Sequence, residues 1–250
     1  MKLAKNVCRT HAIPTFAAIS ALCVFASLAS AQGPTEKSID APDGVRVSVK
    51  MIGPVTQTTD LQILCILKHD PAGDKYIEAM KDFNGKLGGL LANLRERGEF
   101  IGDSGETLLF TPPANSIAPA RVLFIGVGDE SGLSLDELRL AGRIAAREAV
   151  RLNAAHVSFA PTLRDQGSTR IDVGEGDGAV AEQFLLAYDS EKRLQTQGLS
   201  PDTSIKDFTI EAGPKYFEGS FEKVASSVET AAQLIKLRTS APYSVVASGK

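Results

Sequence analysis

The sequence RVLFIGVG at residues 121–128 decides the fold class. Its apolar run, Val122–Ile125, leads into a Gly-x-Gly turn made by Gly126 and Gly128. A short, continuously apolar run is typical of a strand at the centre of a parallel sheet, where helices cover both faces. A polar turn and a helix that begins at Ser134 are predicted next, so the stretch predicts a strand, a turn and a helix in succession.

Further strands are predicted on both sides of this stretch. Asp60–Lys68 is almost continuously apolar and predicts a second central strand, whereas residues 45–51 alternate apolar and polar side chains like a half-buried strand. Other strands are predicted at Thr107–Thr111, His156–Ala160 and Ile205–Glu211.

Helices are predicted between these strands. The helix from Ser134 has the spacing of a capping box, with Glu137 three residues further on. Others are predicted at residues 75–97, with interruptions near Gly85 and Gly88, and at residues 179–194 and 217–238. Because strands alternate with helices, the sequence predicts an α/β domain of three layers, with a mixed or mostly parallel sheet covered by helices.

The first 31 residues have the features of a signal peptide. Basic residues at the start precede an apolar run from Phe16 to Leu28, and the small residues Ala29-Ser30-Ala31 follow. Cleavage is expected before Gln32, which predicts a secreted or periplasmic protein without a membrane anchor after cleavage. Residues 32–44 are then expected to be a flexible leader, and residues 241–250 a flexible tail.

The composition argues against binding of nucleic acid and against an internal disulfide bond. The chain of 250 residues has 27 basic and 30 acidic side chains, and its basic residues are interspersed with acidic ones, so nucleic acid is not an expected partner. Cys8 and Cys23 lie in the predicted signal peptide. Cys65 remains inside an apolar run, where it is expected to be a buried core residue without a disulfide partner.

Two segments resemble the N-terminal domain of leucine aminopeptidases: RGEFIGDSGETLL at residues 97–109 and RVLFIGVG at residues 121–128. In that family a glycine-containing hairpin leads into a strand, a second strand ends in Gly-x-Gly, and a helix follows near a Leu-Arg pair, here Leu138-Arg139. The resemblance covers residues 45–240 and implies a macro-domain-like fold. Gly102 and Gly105 are expected to supply positive φ angles in the hairpin, and Gly126 and Gly128 a sharp exit from the strand.

The resembling enzymes hydrolyse peptides with two metal ions, held in a C-terminal domain around an Asn-Thr-Asp-Ala-Glu-Gly-Arg stretch. That stretch does not occur in these 250 residues, so no catalytic, metal-binding or cofactor-binding residue is expected. His69 and His156 belong to no hydrolase or zinc motif, and Gly126, Gly128 and Gly132 lack the spacing of a dinucleotide fingerprint.

The acidic, glycine-rich segment around residues 174–178 is the remaining candidate for a ligand site. Its acids, Asp172, Glu175 and Asp177, do not have the spacing of an EF-hand, so the segment is interpreted as a solvated turn before a helix.

The last predicted helix is the expected interface, because the resembling enzymes use this region to join a second domain. Val228 and Ile235 are the candidate interface residues. The expected function is that of an exported, non-catalytic accessory domain that binds a peptidase catalytic domain or a second copy of itself. Two alternatives stay open: the N-terminal part of a secreted dinuclear-metal leucyl aminopeptidase whose catalytic domain is missing or separately encoded, and a macro-like domain that binds a small ligand.

Overall fold

A seven-stranded sheet forms the centre of the protein in the computed structural model, which describes residues 35–244. Five neighbouring strands run parallel, and an antiparallel strand lies at each edge. In spatial order the strands are β1 (Glu36–Asp40), β2 (Arg46–Lys50), β7 (Asp207–Glu211), β6 (His156–Ala160), β3 (Leu61–Ile66), β5 (Val122–Gly126) and β4 (Thr107–Phe110). The mixed, mostly parallel sheet predicted from the sequence is therefore confirmed.

Five α-helices in these residues cover the two faces of the sheet. They are α1 (Glu78–Lys86), α2 (Leu90–Glu96), α3 (Leu135–Arg151), α4 (Val173–Gln195) and α5 (Phe217–Leu237). Helices α3, α4 and α5 pack on one face, whereas α1 and α2 pack on the other face over β3 and β5. The result is three layers, as the alternation of strands and helices predicted. None of the helices in residues 35–244 has the length and apolar character needed to cross a membrane.

The two faces of the sheet have different chemistry. The face under α3, α4 and α5 is apolar, and Phe184 of α4 stacks on Phe208 of β7 with ring centroids 3.8 Å apart. On the opposite face, neighbouring strands carry a strip of buried polar side chains: Ser48, Gln62, Ser158, Thr209 and Glu211. Within this strip the Ser158 hydroxyl donates to Glu211 Oε1 at 2.7 Å. A buried carboxyl group is thus fixed at the carboxyl end of β7.

Helices α4 and α5 lie side by side and run in the same direction. Near their starts, Gly174 packs against the backbone of Gly219, and a methyl group at Gly174 would lie 2.9 Å from the Gly219 carbonyl oxygen. Near their ends, the Arg238 guanidinium donates to the Leu186 carbonyl at 2.9 Å. Both helices therefore begin at the edge of the sheet where the parallel strands end, and both end at the opposite edge.

The predicted flexible leader is partly wrong, because residues 36–40 form strand β1. This strand pairs with β2 in an antiparallel ladder from Glu36 opposite Lys50 to Asp40 opposite Arg46. Its sequence, EKSID, is mostly polar because it lies at the edge of the sheet, where one row of backbone groups and much of each side chain face water. The predicted signal peptide at residues 1–31 and the last six residues of the predicted tail lie outside the described residues.

Two details of the predicted helices are also wrong. Residues 174–178 belong to the first turns of α4 and are not a solvated turn, and Asp177 is fully buried. Glycines suit this segment because α4 is in close contact with α5: a methyl group at Gly178 would lie 2.7 Å from Ser227 Oγ. Ser134 precedes α3 but makes no side-chain capping hydrogen bond, and the Glu137 carboxylate accepts a hydrogen bond from the Ser104 hydroxyl.

Candidate functional site

A cleft of about 550 Å³ lies at the edge of the sheet where the parallel strands end. It is lined by Ile52 beyond β2, by Ala160 and Thr162 at the end of β6, and by Glu211 at the end of β7. The first turn of α4, around Val173, completes the floor. Ligand sites in open α/β sheets lie at this edge, because the loops that follow parallel strands all meet there.

The cleft lies to one side of the point where the chain connections diverge, between β3 and β6. That point is filled by side chains from the loop after β6. Thr162 Oγ1 donates to the Cys65 carbonyl at 2.7 Å, and Gln166 Nε2 donates to the same oxygen at 2.8 Å. Gln166 Oε1 accepts from the Leu67 amide at 2.9 Å. The crevice between β3 and β6 is therefore closed, and the open volume lies over β6, β7 and β2.

Two groups of residues line the cleft. We call Lys75, Ile77, Glu78 and Asp165 the α1 wall, since they lie at the start of α1, and residues 211–216 the α5 wall. In the α1 wall the Ile77 amide donates to the Asp165 carbonyl at 2.8 Å. Burial, with a smaller contribution from Glu78, raises the pKa of Asp165 to about 6. In the α5 wall the Lys215 ammonium lies 5.2 Å from the centre of the Tyr216 ring.

Two residues that line the cleft have strained backbones. Glu78 has φ of 43° and Thr162 has φ of 53°. Positive φ is rare for residues other than glycine and is especially unfavourable for a β-branched residue such as threonine. Strain of this kind costs about 1–3 kcal/mol per residue and is concentrated at functional sites. Its presence twice at one cleft therefore supports a functional role for this edge of the sheet.

Two buried carboxyl groups lie in or near this edge of the sheet. Glu211 is 7% exposed, and burial raises its pKa to about 7. Asp177 lies in α4, one residue beyond the cleft-lining Gly176, and burial also raises its pKa to about 7. Ser220 lies beside Asp177, and Ser158 and Gln62 lie beside Glu211, but these polar neighbours offset the effect of burial on each pKa only in part. Both groups therefore keep a proton to a higher pH in the folded protein than in the unfolded chain.

The four motif glycines lie outside the cleft, in a hairpin against the ends of β3 and β5. Gly102, Gly105 and Gly128 have φ between 73° and 81°. A methyl group at Gly126 would lie 2.1 Å from the Asp103 carbonyl oxygen, so the two backbones are in direct contact there. The amides of this hairpin bind Glu106, whose Oε2 accepts from Gly102 at 2.7 Å. The glycines shape the hairpin, and an internal carboxylate occupies its amides.

The two candidate interface residues of α5 have different environments. Val228 is 2% exposed and packs in the core under the sheet, so the prediction that it lies at an interface is wrong. Ile235 is half-buried. Leu234 and Leu237, which were not predicted from the sequence as interface residues, are 42% and 82% exposed. The sequence did contain a signal for them: Leu234 and Leu237 are three residues apart and so share a helix face, which is not the face of the buried residues such as Val228 and Ala231.

Two further exposed apolar residues lie at the same end of α4 and α5 as Leu234 and Leu237. Leu199 follows α4, and Tyr243 lies close to the end of that helix, since its amide donates to Gln197 Oε1 at 3.0 Å. We call these four exposed residues, Leu199, Leu234, Leu237 and Tyr243, the far-edge patch. The patch lies at the opposite end of α4 and α5 from the cleft.

Among the described residues, His69 and His156 are each paired with an aspartate, and Cys65 is buried in the core. His69 Nδ1 lies 2.9 Å from Asp74 Oδ2, and His156 Nδ1 lies 2.7 Å from Asp207 Oδ2. Cys65 is buried, and burial raises the pKa of its thiol, which disfavours the reactive thiolate. In residues 35–244, no group of three or more His, Cys, Asp or Glu side chains is arranged to hold a metal ion.

Sequence comparison relates the chain to aminopeptidases. The model of the N-terminal domain of the cytosol aminopeptidase family matches residues 66–197. A probable cytosol aminopeptidase of Roseiflexus castenholzii is 27% identical over 149 residues, which are 59% of this chain and 27% of that protein. One of Thermosynechococcus vestitus is 31% identical over 111 residues, 44% of this chain and 21% of that protein. The chain thus spans about a quarter of the length of these curated relatives.

Structure comparison supports the fold. A mutant of tomato leucine aminopeptidase superposes with a TM-score of 0.57 at 19% identity, over 80% of this chain and 38% of that chain. A macrodomain mutant of Oceanobacillus iheyensis superposes with a TM-score of 0.52 at 10% identity, over 81% of this chain and 98% of that chain. The predicted macro-domain-like fold is confirmed. Because the family model covers more than half of the sequence, the chain belongs to the cytosol aminopeptidase family and contains that family's N-terminal domain.

Proposed function

We propose that the protein is an exported accessory domain that binds a peptidase catalytic domain through the far-edge patch. The observation that carries this proposal is the exposure of Leu234 and Leu237 on the outer side of an ordered helix end. Apolar side chains grouped on a surface, close to polar residues, mark sites of protein association. The export signal rests on the composition of residues 1–31.

The end of α5 is held rigidly, which suits a binding surface. Arg238 donates from one guanidinium nitrogen to the Leu186 carbonyl, to Asp189 and to the Ser190 hydroxyl. Asp189 also accepts from Arg193 Nε at 2.8 Å. Because these contacts fix the backbone on which Leu234 and Leu237 stand, little conformational entropy would be lost when a partner binds.

A peptidase catalytic domain is the partner that the comparisons favour. In the curated relatives, the region that matches this chain is about a quarter of a longer protein named as a probable aminopeptidase. The equivalent domain in those proteins is therefore attached to further sequence.

Affinity capture with patch variants tests this proposal. The protein from residue 32 onward is immobilised and exposed to the exported fraction of its native cells. We expect a peptidase to be captured, and Leu237→Asp to abolish its capture, while the exposed control Ser226→Asp, more than two turns earlier on the same helix, retains it. Failure to capture a peptidase, or capture that survives Leu237→Asp and Leu234→Asp, would contradict the proposal.

Two further measurements separate the alternatives. Analytical ultracentrifugation reports self-association, and a dimer that Leu237→Asp dissociates would replace the catalytic domain with a second copy of this chain. Assays with leucine anilides and added zinc, manganese or cobalt report catalysis. We expect no turnover by the purified protein, and metal-dependent turnover that co-purifies with it would overturn the accessory role.

A further inference from the structure

We propose that the free edge of strand β4 pairs with the same edge of a second copy of this chain, so that two seven-stranded sheets join across a two-fold axis. The axis passes beside Leu109, and the two β4 strands run antiparallel. This surface is separate from the far-edge patch. Strand β4 ends the sheet on the side away from β1 and β2, which are the strands that α5 contacts.

The backbone of β4 has unpaired groups on its outer side. Within residues 35–244, β4 pairs with β5 alone. The Gly126 amide donates to the Glu106 carbonyl at 2.7 Å, so the backbone groups of every second residue after Glu106 also face β5. The groups of Thr107, Leu109 and Thr111 face outward instead, and no hydrogen bond reaches them from the described residues.

The two ends of this edge fix the register of pairing. Pro112 has no N–H group, so the edge ends at Thr111, and proline favours extended backbone in the residue before it. At the other end, the Glu106 amide already donates to the Asp103 carbonyl at 2.9 Å. Antiparallel pairing centred on Leu109 therefore uses all the outward groups, in residue pairs that form about six hydrogen bonds.

The side chains of β4 are complementary to themselves in this register. On the face toward α3, Leu109 lies opposite its own copy, and Thr107 lies opposite Thr111 of the second copy. On the other face, Leu108 lies opposite Phe110 of the second copy. Threonine pairs stabilise antiparallel strands, and Leu109, which is 37% exposed, would be removed from water by its copy.

The distribution of charge favours a second copy at β4 and disfavours one at β1, the other edge strand. Strand β1 carries Glu36, Lys37 and Asp40, and pairing with its own copy about Ser38 would place Glu36 opposite Asp40, two like charges. Charged residues of this kind protect exposed edges from pairing. Strand β4 carries no charge, so it is unprotected, and its own self-complementary sequence is the match that the edge offers.

Sedimentation equilibrium of the protein from residue 32 onward measures the association, at concentrations from about 10 µM to about 1 mM, as suits a small interface. We expect a dimer that forms as the concentration rises. Leu109→Lys and Leu109→Glu should each weaken it about tenfold or more, because like charges then lie opposite each other. A mixture of the two variants should form a heterodimer, because each ammonium group then faces a carboxylate. The matched controls Ser38→Lys and Ser38→Glu, at the exposed centre of β1, should associate like the wild type.

Hydrogen exchange tests the register in the wild-type protein. The amides of Thr107, Leu109 and Thr111 should exchange more slowly as the dimer forms, since only the dimer bonds them. The amides of Leu108 and Phe110 are bonded to β5 in both states and should change less. Exchange at Thr107, Leu109 and Thr111 that does not depend on concentration would contradict the pairing.

Three further results would overturn the proposal. They are a monomer at the highest concentration, a dimer that both Leu109 variants leave intact, and a mixture of the two variants that associates no better than either variant alone. A dimer that Leu237→Asp dissociates and Leu109→Lys does not would belong to the far-edge patch. Failure of the β4 interface and failure of the accessory role are therefore distinguishable.

Discussion

The residues at the two ends of α4 and α5 affect the protein differently: those at one end lower its stability, and those at the other expose apolar surface. At the cleft, strained backbone at Glu78 and Thr162 and buried carboxyl groups reduce the free energy of unfolding. At the far edge, Leu234 and Leu237 leave the fold undisturbed but expose apolar surface to water. A loss of stability from strain and buried charge is typical of a preformed ligand site, whereas exposed apolar side chains are typical of a surface that associates with another protein.

The largest effect should distinguish Val228 from Leu237, two apolar residues of the same helix. Val228→Asp buries an unpaired carboxylate in the core and should lower the free energy of unfolding by about 4–5 kcal/mol. Leu237→Asp should change it by less than about 0.5 kcal/mol, since that side chain is largely exposed. Urea denaturation of both variants measures the difference. Equal destabilisation would place Leu237 in the core and remove the far-edge patch.

The next effect concerns the pH dependence of stability near the cleft. The pKa of Asp177 is raised from 3.8 to about 7 in the folded protein, so the folded state retains a proton that the unfolded state releases. The contribution of Asp177 to stability is therefore largest below pH 3.8, and it decreases as the pH rises from 3.8 to about 7. At about 1.4 kcal/mol per pH unit, the loss is at most about 4.5 kcal/mol.

Asp177→Asn removes this titration. We expect the variant to lose much less stability than the wild type between pH 5 and pH 8, with the remaining slope due to Glu211 and Asp165. The exposed control Glu229→Gln should leave the wild-type slope unchanged. Thermal melting across this pH range provides the measurement, and identical slopes for wild type and Asp177→Asn would show that Asp177 does not retain a proton.

A smaller effect should be confined to the far edge. Arg238→Ala removes the hydrogen bonds that fix the end of α5 and leaves the buried Asp189 with Arg193 as its partner. We expect a loss of about 1–3 kcal/mol and faster amide hydrogen exchange in the last turns of α4 and α5. Exchange at the start of α4 should stay unchanged. Faster exchange at both ends would mean that the two regions do not behave independently.

The sequence predicted the fold better than it predicted either site. Apolar runs such as Val122–Ile125 identify central strands because both faces of those strands are buried. Strand β1 was missed because an edge strand keeps polar residues. The glycines before Asp177 were assigned to a turn because glycine disfavours helices, yet here close packing against α5 outweighs that preference.

The cleft itself was not predictable from local patterns. Glu78, Lys215 and Thr162 are far apart in sequence, and none belongs to a recognisable motif. The structure brings them together because the loops after parallel strands meet at one edge of the sheet. The resemblance to a family supplied the architecture, but which side chains line the cleft depends on positions that only the structure gives.

The smallest predicted effect tests whether the backbone at the cleft is strained. Glu78 has φ of 43°, which glycine adopts without strain, so Glu78→Gly should stabilise the protein by about 1 kcal/mol relative to Glu78→Ala. Urea denaturation of both variants measures the difference. Both variants lose the carboxylate, so the comparison isolates the backbone from the charge. If Glu78→Gly is no more stable than Glu78→Ala, the backbone at residue 78 is not strained. If it is more stable, the folded protein holds this cleft residue in a conformation that lowers its stability, as is typical of functional sites.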